Sequence, residues 1–266
     1  DRLSLEPLLG IYEHHAAPVI AALLAHRDIR RLTDDERYRL AVFVAVQRAR
    51  TFGELERISG MISVLTDKME AIGSTKEQAL ETLGLSSGGD TKDIFLRQLV
   101  QQMSHIDHLL KKDWYLLETR PESPFYVSDN PVVLKNSNDF GPYGNLGLAV
   151  RGIQIYLPLS STLMLAMYCP SIREQMIRQK QHLHNLLARA PHLIPRHIRP
   201  FERLEHIRRY TDYLFMPLTP DHVTHYNALQ VEFAEQYVFC GEKDFSLVER
   251  MLADSERYRT GPRFTF

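Results

Sequence analysis

Two apolar runs constrain this chain more than anything else in it. Residues 152–158 (GIQIYLP) and 162–169 (TLMLAMYC), separated only by Leu159, Ser160 and Ser161, are apolar at nearly every position. A strand with one wet face alternates apolar and polar residues, whereas a strand buried on both faces has no reason to. The pair is therefore expected to form central strands covered on both sides, and the rest of the chain must supply the cover.

The front half supplies helices. Residues 4–27 place Leu8, Ile11, His15, Val19, Ala22 and Leu23 at helical spacing behind a Ser4 cap with Glu6 and Pro7 in the first turn, and Pro18 is expected to kink or split the helix. Thr33-Asp34-Asp35-Glu36 is a capping-box pattern and opens a long helix through Leu40, Phe43 and Val46 to about Gly73, bent at Gly53 or Gly60. Ser74-Thr75-Lys76-Glu77 repeats the pattern and starts a short helix to Leu83. Beyond a flexible Ser86-Ser87-Gly88-Gly89 linker, a further helix runs from Asp90 or Thr91 to about Leu110. The expected architecture is α+β: an N-terminal bundle of four or five helices on a small mixed or antiparallel sheet, with more helices at the C-terminus. The division falls at residues 1–112 and 113–266, within one compact unit.

Between the halves, residues 114–136 (WYLLETRPESPFYVSDNPVVLKN) read as strand, turn, strand, with Arg120 to Pro124 ending the first arm. Ser128-Asp129-Asn130-Pro131 is the most distinctive peptide here. Asn130 precedes a proline and is biased away from helix, so the chain turns or stays extended there. Asp129 is then either a turn residue bonded to local backbone or a carboxylate presented at a strand end for catalysis or metal binding.

Composition excludes several functions. The 44% hydrophobic and 24% charged content is that of an ordinary globular protein, and a net charge of −1 leaves nucleic-acid binding to a local patch. Only Cys169 and Cys240 are present, each in an apolar run, which suggests reduced core residues rather than a disulfide framework or zinc site, as in a reducing cytoplasm. No run approaches the roughly 18 apolar residues of a membrane span. The first residue is Asp1 rather than methionine, so the numbering is expected to begin inside a longer product or after a removed segment. The glycines at 141, 144 and 147 fit neither a dinucleotide fingerprint nor a phosphate loop, though the polar stretch 136–147 could cover a small-molecule pocket. His105 with His108, and His222 with His225, stand three apart without a third ligand in sight.

The local patch exists. From Arg173 to Arg209 nine Lys or Arg face three acids, an excess of six, with five histidines among them. Pro191, Pro195 and Pro200 divide the stretch into two helices. Arg196, Arg199 and Arg203 are its candidates for holding phosphate.

These residues resemble an uncharacterised, mainly bacterial family, the domain of unknown function 4238. The likeness rests on the helix with Glu6 and Glu13 (LEPLLGIYEHHAAPVIAAL), Gln47-Arg48-Ala49-Arg50-Thr51, Phe-Tyr-Val-Ser-Asp-Asn-Pro-Val at 125–132, Leu157-Pro158-Leu159-Ser160, and Asn227, spanning about residues 3–245. Members of that family begin with a His-Tyr-Val-Pro segment and a first strand pair that this sequence does not contain. The resemblance implies a fold and a set of candidate residues, not an activity. Two functions compete. In a phosphodiester hydrolase or nuclease, Asp129 and Glu13 would hold a divalent cation and Arg48 and Arg50 the phosphate, with Ser128, Asn130, Glu6 and Gln47 lining the site. In a non-catalytic binding or regulatory module, the basic helices of 173–209 would dock nucleic acid, another phosphate-bearing ligand or an acidic protein.

Overall fold

The structure, a computed structural model, describes residues 6–82, 106–138, 146–194 and 199–259, and at positions 6, 8, 52, 54–58 and 61 the backbone alone. The Ser4 cap, the 86–89 linker, most of the 90–110 helix with His105, and Arg196 lie outside those residues.

Helix α1 (Glu6–His26) runs through Pro18 as one helix and packs on α2 (Asp34–Ala49). The expected capping box is present, the Thr33 hydroxyl accepting the Glu36 N–H and the Glu36 carboxylate accepting the Thr33 N–H. The long helix does not bend at a glycine. It stops after Ala49, where the Thr51 hydroxyl donates to the Arg48 carbonyl, and α3 (Phe52–Ala71) starts afresh. A side chain competing for a last-turn carbonyl ends the helix before either glycine is reached. Gly73 closes α3 at φ +99°, with Ser74 N–H on Met69 O and Gly73 N–H on Glu70 O, the paired bonds of a left-handed helix end. The second box uses Thr75 and Gln78, one residue beyond the expected Ser74 and Glu77, and opens α4 (Lys76–Thr82). Helix α5 (Ile106–Leu110) leads into the sheet.

The sheet is mixed. Its order is β3 (Val133–Asn136), β4 (Ile153–Pro158), β5 (Leu163–Tyr168), β1 (Asp113–Glu118), β6 (Met216–Pro217), antiparallel except for the β1–β6 pair. The two apolar runs are β4 and β5, and every β5 residue is buried. The expected hairpin across 114–136 does not form. Instead β1 pairs with β5, Tyr115 opposite Ala166, while β2 (Val127–Ser128) leaves the sheet to pair with β7 (Val238–Phe239). The Arg120–Pro124 corner carries the chain away, because a backbone already bonded to β5 and β6 on both edges has no place for a third neighbour.

Alternation along the strands divides the core. Trp114, Leu116, Ile153, Ile155, Leu163, Leu165 and Met167 pack against α1, α2 and α5. Tyr115, Leu117, Tyr156, Met164, Ala166 and Tyr168 turn to the other face, onto Val223, Tyr226 and Leu229 of α8 (Pro220–Phe233). Each wholly buried Leu or Ile stabilises by about 1.5–3 kcal/mol, so a sheet covered on both sides uses its apolar runs twice over.

Beyond β5 come α6 (Pro170–Arg189), a 3-10 turn at Pro191–Leu193, and α7 (Pro200–Thr211), packed on α6. After α8 and β7, α9 (Ser246–Asp254) lies against α8. Pro191 and Pro200 divide the basic stretch as the sequence indicates, since each sits in a first turn that lacks intrahelical N–H bonds, while Pro195 lies outside the described residues. Both cysteines are free but only partly buried, not core residues: the core positions of β5 end at Tyr168, one residue before Cys169. Among the described residues no helix is long and apolar enough to cross a membrane.

Candidate functional site

Asp129 is held by the backbone of the loop between α8 and β7. Its carboxylate accepts the N–H groups of Glu235 at 3.0 Å, Gln236 at 2.8 Å and Tyr237 at 3.1 Å, and its own N–H donates to Tyr237 O. The residues before and after it are gripped by α8. Asn227 accepts the Tyr126 N–H at 2.8 Å and donates to Pro124 O at 2.9 Å, and Gln230 accepts the Ser128 N–H at 2.9 Å and donates to Pro131 O at 3.1 Å. Two amides three residues apart lie on one side of a helix, so α8 presents a pair of two-way clamps to an extended strand that would otherwise leave its polar backbone unpaired. Ser128 is buried, its hydroxyl donating to Asn130 O and shared with Gln230 Oε1.

The candidate residues of the first half of the chain form a second group. Glu13 on α1 pairs with Arg50 at the end of α2, across a surface where both side chains are more than a third exposed. Glu13 and Arg50 thus satisfy each other rather than meeting Asp129. Gln47 is buried in α2, and Arg48 is half-buried at its last turn, its carbonyl taken by Thr51. The Glu6 side chain lies outside the described residues. The two groups do approach each other through Glu235, since a Cβ on Gly53 would collide with Glu235 Oε1. That carboxylate fills the space a side chain would take at the start of α3. Among the described residues no three His, Cys, Asp or Glu side chains group as metal ligands.

A third group forms a concavity. Between α6 and α7 lies a cleft of about 920 Å³ with Leu183, Leu186, Ile194 and Ile207 as its apolar lining. Around them stand His182, His206, His222, Arg199 and Arg203. Arg203 reaches across to Gln179 Oε1 at 2.9 Å, tying α7 to α6, while Arg199 pairs with Glu202 on the exposed rim. Burial first, then the charges of Arg203, His222 and Arg209, pushes His206 below its ordinary value. Burial leads, and the part played by the neighbouring cations marks a place where positive charge gathers and an anion would be welcome. The strip continues onto α8, where Lys135 of β3 meets His225 Nε2 at 2.6 Å and burial, Lys135 and His222 lower the imidazole.

The sequence indicated Arg199 and Arg203 and counted His182 and His206 in the same stretch, but missed their meeting with His222, because the cleft depends on α6 lying beside α7 with α8 at its mouth. It also missed Gln230 and the amides at 235–237. One signal was there: Asn227 and Gln230 interrupt the stripe Val223, Tyr226, Leu229 that otherwise packs on the sheet, and polar residues in a buried stripe need partners. Residues 139–145 of the 136–147 stretch lie outside the described residues.

In class, this is an α+β protein with helices on both faces of a mixed sheet and a basic cleft between two of the later helices. The particular family follows from a profile match over residues 1–244: the chain belongs to the family described as "Protein of unknown function (DUF4238)". No curated protein and no solved structure matches it.

Proposed function

We propose that the chain is a non-catalytic binding module that takes a phosphate-bearing ligand into the cleft between α6 and α7. The observation that carries this reading is the meeting of Arg199, Arg203, His182, His206 and His222 around an apolar floor. Guanidinium groups match phosphate oxygens geometrically, the His206 imidazole, held below its ordinary value, can take up a proton as a dianion arrives, and the floor accommodates an apolar body. The volume is at the upper end of those that hold small ligands. A hydrolase built on Asp129 is the weaker reading, since both of its oxygens already accept backbone N–H groups and Glu13 is engaged by Arg50.

Calorimetric titration with inorganic pyrophosphate tests the proposal. Binding should weaken with added salt and should be lost in the double variant Arg199→Gln/Arg203→Gln, but not in Asp129→Asn. Affinity that is indifferent to salt, or that survives the double variant, refutes it.

A further inference from the structure

Helices α6 and α7 form an antiparallel hairpin. Arg173 near the start of α6 donates to Thr211 O at the end of α7 at 3.1 Å, and Arg203 near the start of α7 reaches Gln179 Oε1, so the two helices run in opposite directions. The turn end of the hairpin therefore holds the last residues of α6, the Pro191–Leu193 turn and the first residues of α7. Ile194 and Arg199 line the cleft at this same end. Beside them two large apolar side chains face solvent. Leu193, next to Ile194, is 62% exposed, and Phe201, two residues after Arg199, is 75% exposed. Single exposed apolar side chains are common on any protein, but these two flank the mouth of a cleft that already joins cations to an apolar floor. The hairpin around them is basic. Glu202 is taken by Arg199 and Glu205 by Arg208 and Arg209, whereas Arg178, Lys180 and Arg189 of α6 pair with no carboxylate among the described residues. Solvent-facing apolar side chains set among cations suit the boundary of an anionic bilayer, where the cations meet headgroups and the apolar groups enter the acyl layer.

We infer that the turn end of the α6–α7 hairpin docks on membranes that carry a phosphate-monoester lipid. One headgroup enters the cleft between Arg199 and Arg203, its glycerol and first acyl carbons lie against Ile194 and Leu186, and Leu193 and Phe201 enter the bilayer. The inference rests on the phosphate-binding reading of the cleft and narrows it, the apolar body on the floor being that of a lipid. A monoester offers three terminal oxygens and up to two charges to a pair of guanidinium groups, where a diester offers two oxygens and one charge. Arg199 gives up little in turning to the phosphate, because its pair with Glu202 is an exposed one.

Vesicle co-sedimentation of the whole chain tests this, with phosphatidylcholine vesicles and with vesicles in which about one lipid in five is phosphatidic acid. The protein should pellet with the second and stay in solution with the first. The double variant Leu193→Ser/Phe201→Ser should weaken partitioning onto phosphatidic acid vesicles on the order of a hundredfold, about tenfold for each side chain, while its calorimetric binding of pyrophosphate stays as in the parent. Both positions face solvent, so this variant should melt with the parent. Arg199→Gln/Arg203→Gln should lose vesicles and pyrophosphate together. A parent that binds pyrophosphate but ignores phosphatidic acid vesicles overturns the inference, as does a Leu193→Ser/Phe201→Ser variant that partitions like the parent; either result leaves phosphate binding in the cleft standing. Vesicle binding that survives Arg199→Gln/Arg203→Gln overturns it too, since the headgroup then sits elsewhere. A parent that does not bind pyrophosphate removes the underlying reading and the inference with it.

Discussion

Replacing Asp129 by Asn separates a structural clasp from a catalytic carboxylate. In the native chain one oxygen takes the Glu235 N–H and the other takes those of Gln236 and Tyr237. An asparagine can keep one of these sides. On the other it presents an NH₂ to N–H donors, so at best the Gln236 and Tyr237 bonds survive on a neutral oxygen and the Glu235 bond is lost. Hydrogen bonds to a charged acceptor contribute about 1.5–3 kcal/mol each. The Glu235 bond is lost whole and the other two fall to the roughly 0.5–1.5 kcal/mol of a neutral acceptor; with Gln236 and Tyr237 exposed and able to turn to water, the total is roughly 2–4 kcal/mol. Against an overall stability of about 5–15 kcal/mol that is a large fraction. In urea unfolding, with a slope near 3 kcal/mol/M, the midpoint should fall by roughly 1 M without a change in slope. Pyrophosphate binding, extrapolated to the fully folded protein, should stay as in the parent. A midpoint shift below about 0.2 M, or a loss of ligand binding at full folding, would refute the clasp and restore a functional role to Asp129.

Gln230→Leu should destabilise by about 3 kcal/mol or more in the same assay, because the buried Ser128 N–H and the Pro131 carbonyl both lose their partner; a cost under about 1 kcal/mol contradicts the two-way clamp. Thr33→Ala removes the capping box of α2 and should cost about 1 kcal/mol, with Thr33→Ser close to neutral. His206 and His225 both bind a proton less readily folded than unfolded, burial being the leading cause in each. Their contribution is therefore complete above the ordinary histidine value of 6.5 and is lost as pH falls below it, so the ligand-free protein should weaken in mild acid and the double variant His206→Gln/His225→Gln should flatten that decline. A thermal-melt series from pH 8 to about pH 5 in which parent and variant run parallel would count against the assignment.

What the sequence made legible was local or periodic. Thr33 and Glu36 announce their own capping box, and the unbroken apolar runs of β4 and β5 place themselves in the middle of a sheet without any knowledge of their partners. What it hid was pairing. Nothing in Trp114 to Leu117 says that the strand opposite is 163–168 rather than 125–127, because both candidates are apolar and the nearer one looks cheaper to close. The Ser-Asp-Asn-Pro peptide pointed to a committed carboxylate but not to its target, since three backbone amides more than a hundred residues away have no side-chain signature. Arg199 and Arg203 were visible as charge, yet a cleft is a property of two helices side by side, and the sequence shows only one at a time.

The grip of α8 on 124–131 also sets an order of events during synthesis. The partners of 126–131 at Asn227, Gln230 and the 235–237 loop lie about a hundred residues downstream, while the Phe125 N–H alone finds an earlier acceptor in Ser161 O. While the ribosome is still making those residues, the emerging Ser-Asp-Asn-Pro stretch has none of these partners to bind, although the helices ahead of it and strands β1 and β3 to β5 are already there to settle. The nascent chain must therefore wait, half assembled and with strand backbone open to strangers, until its last helices arrive to close it.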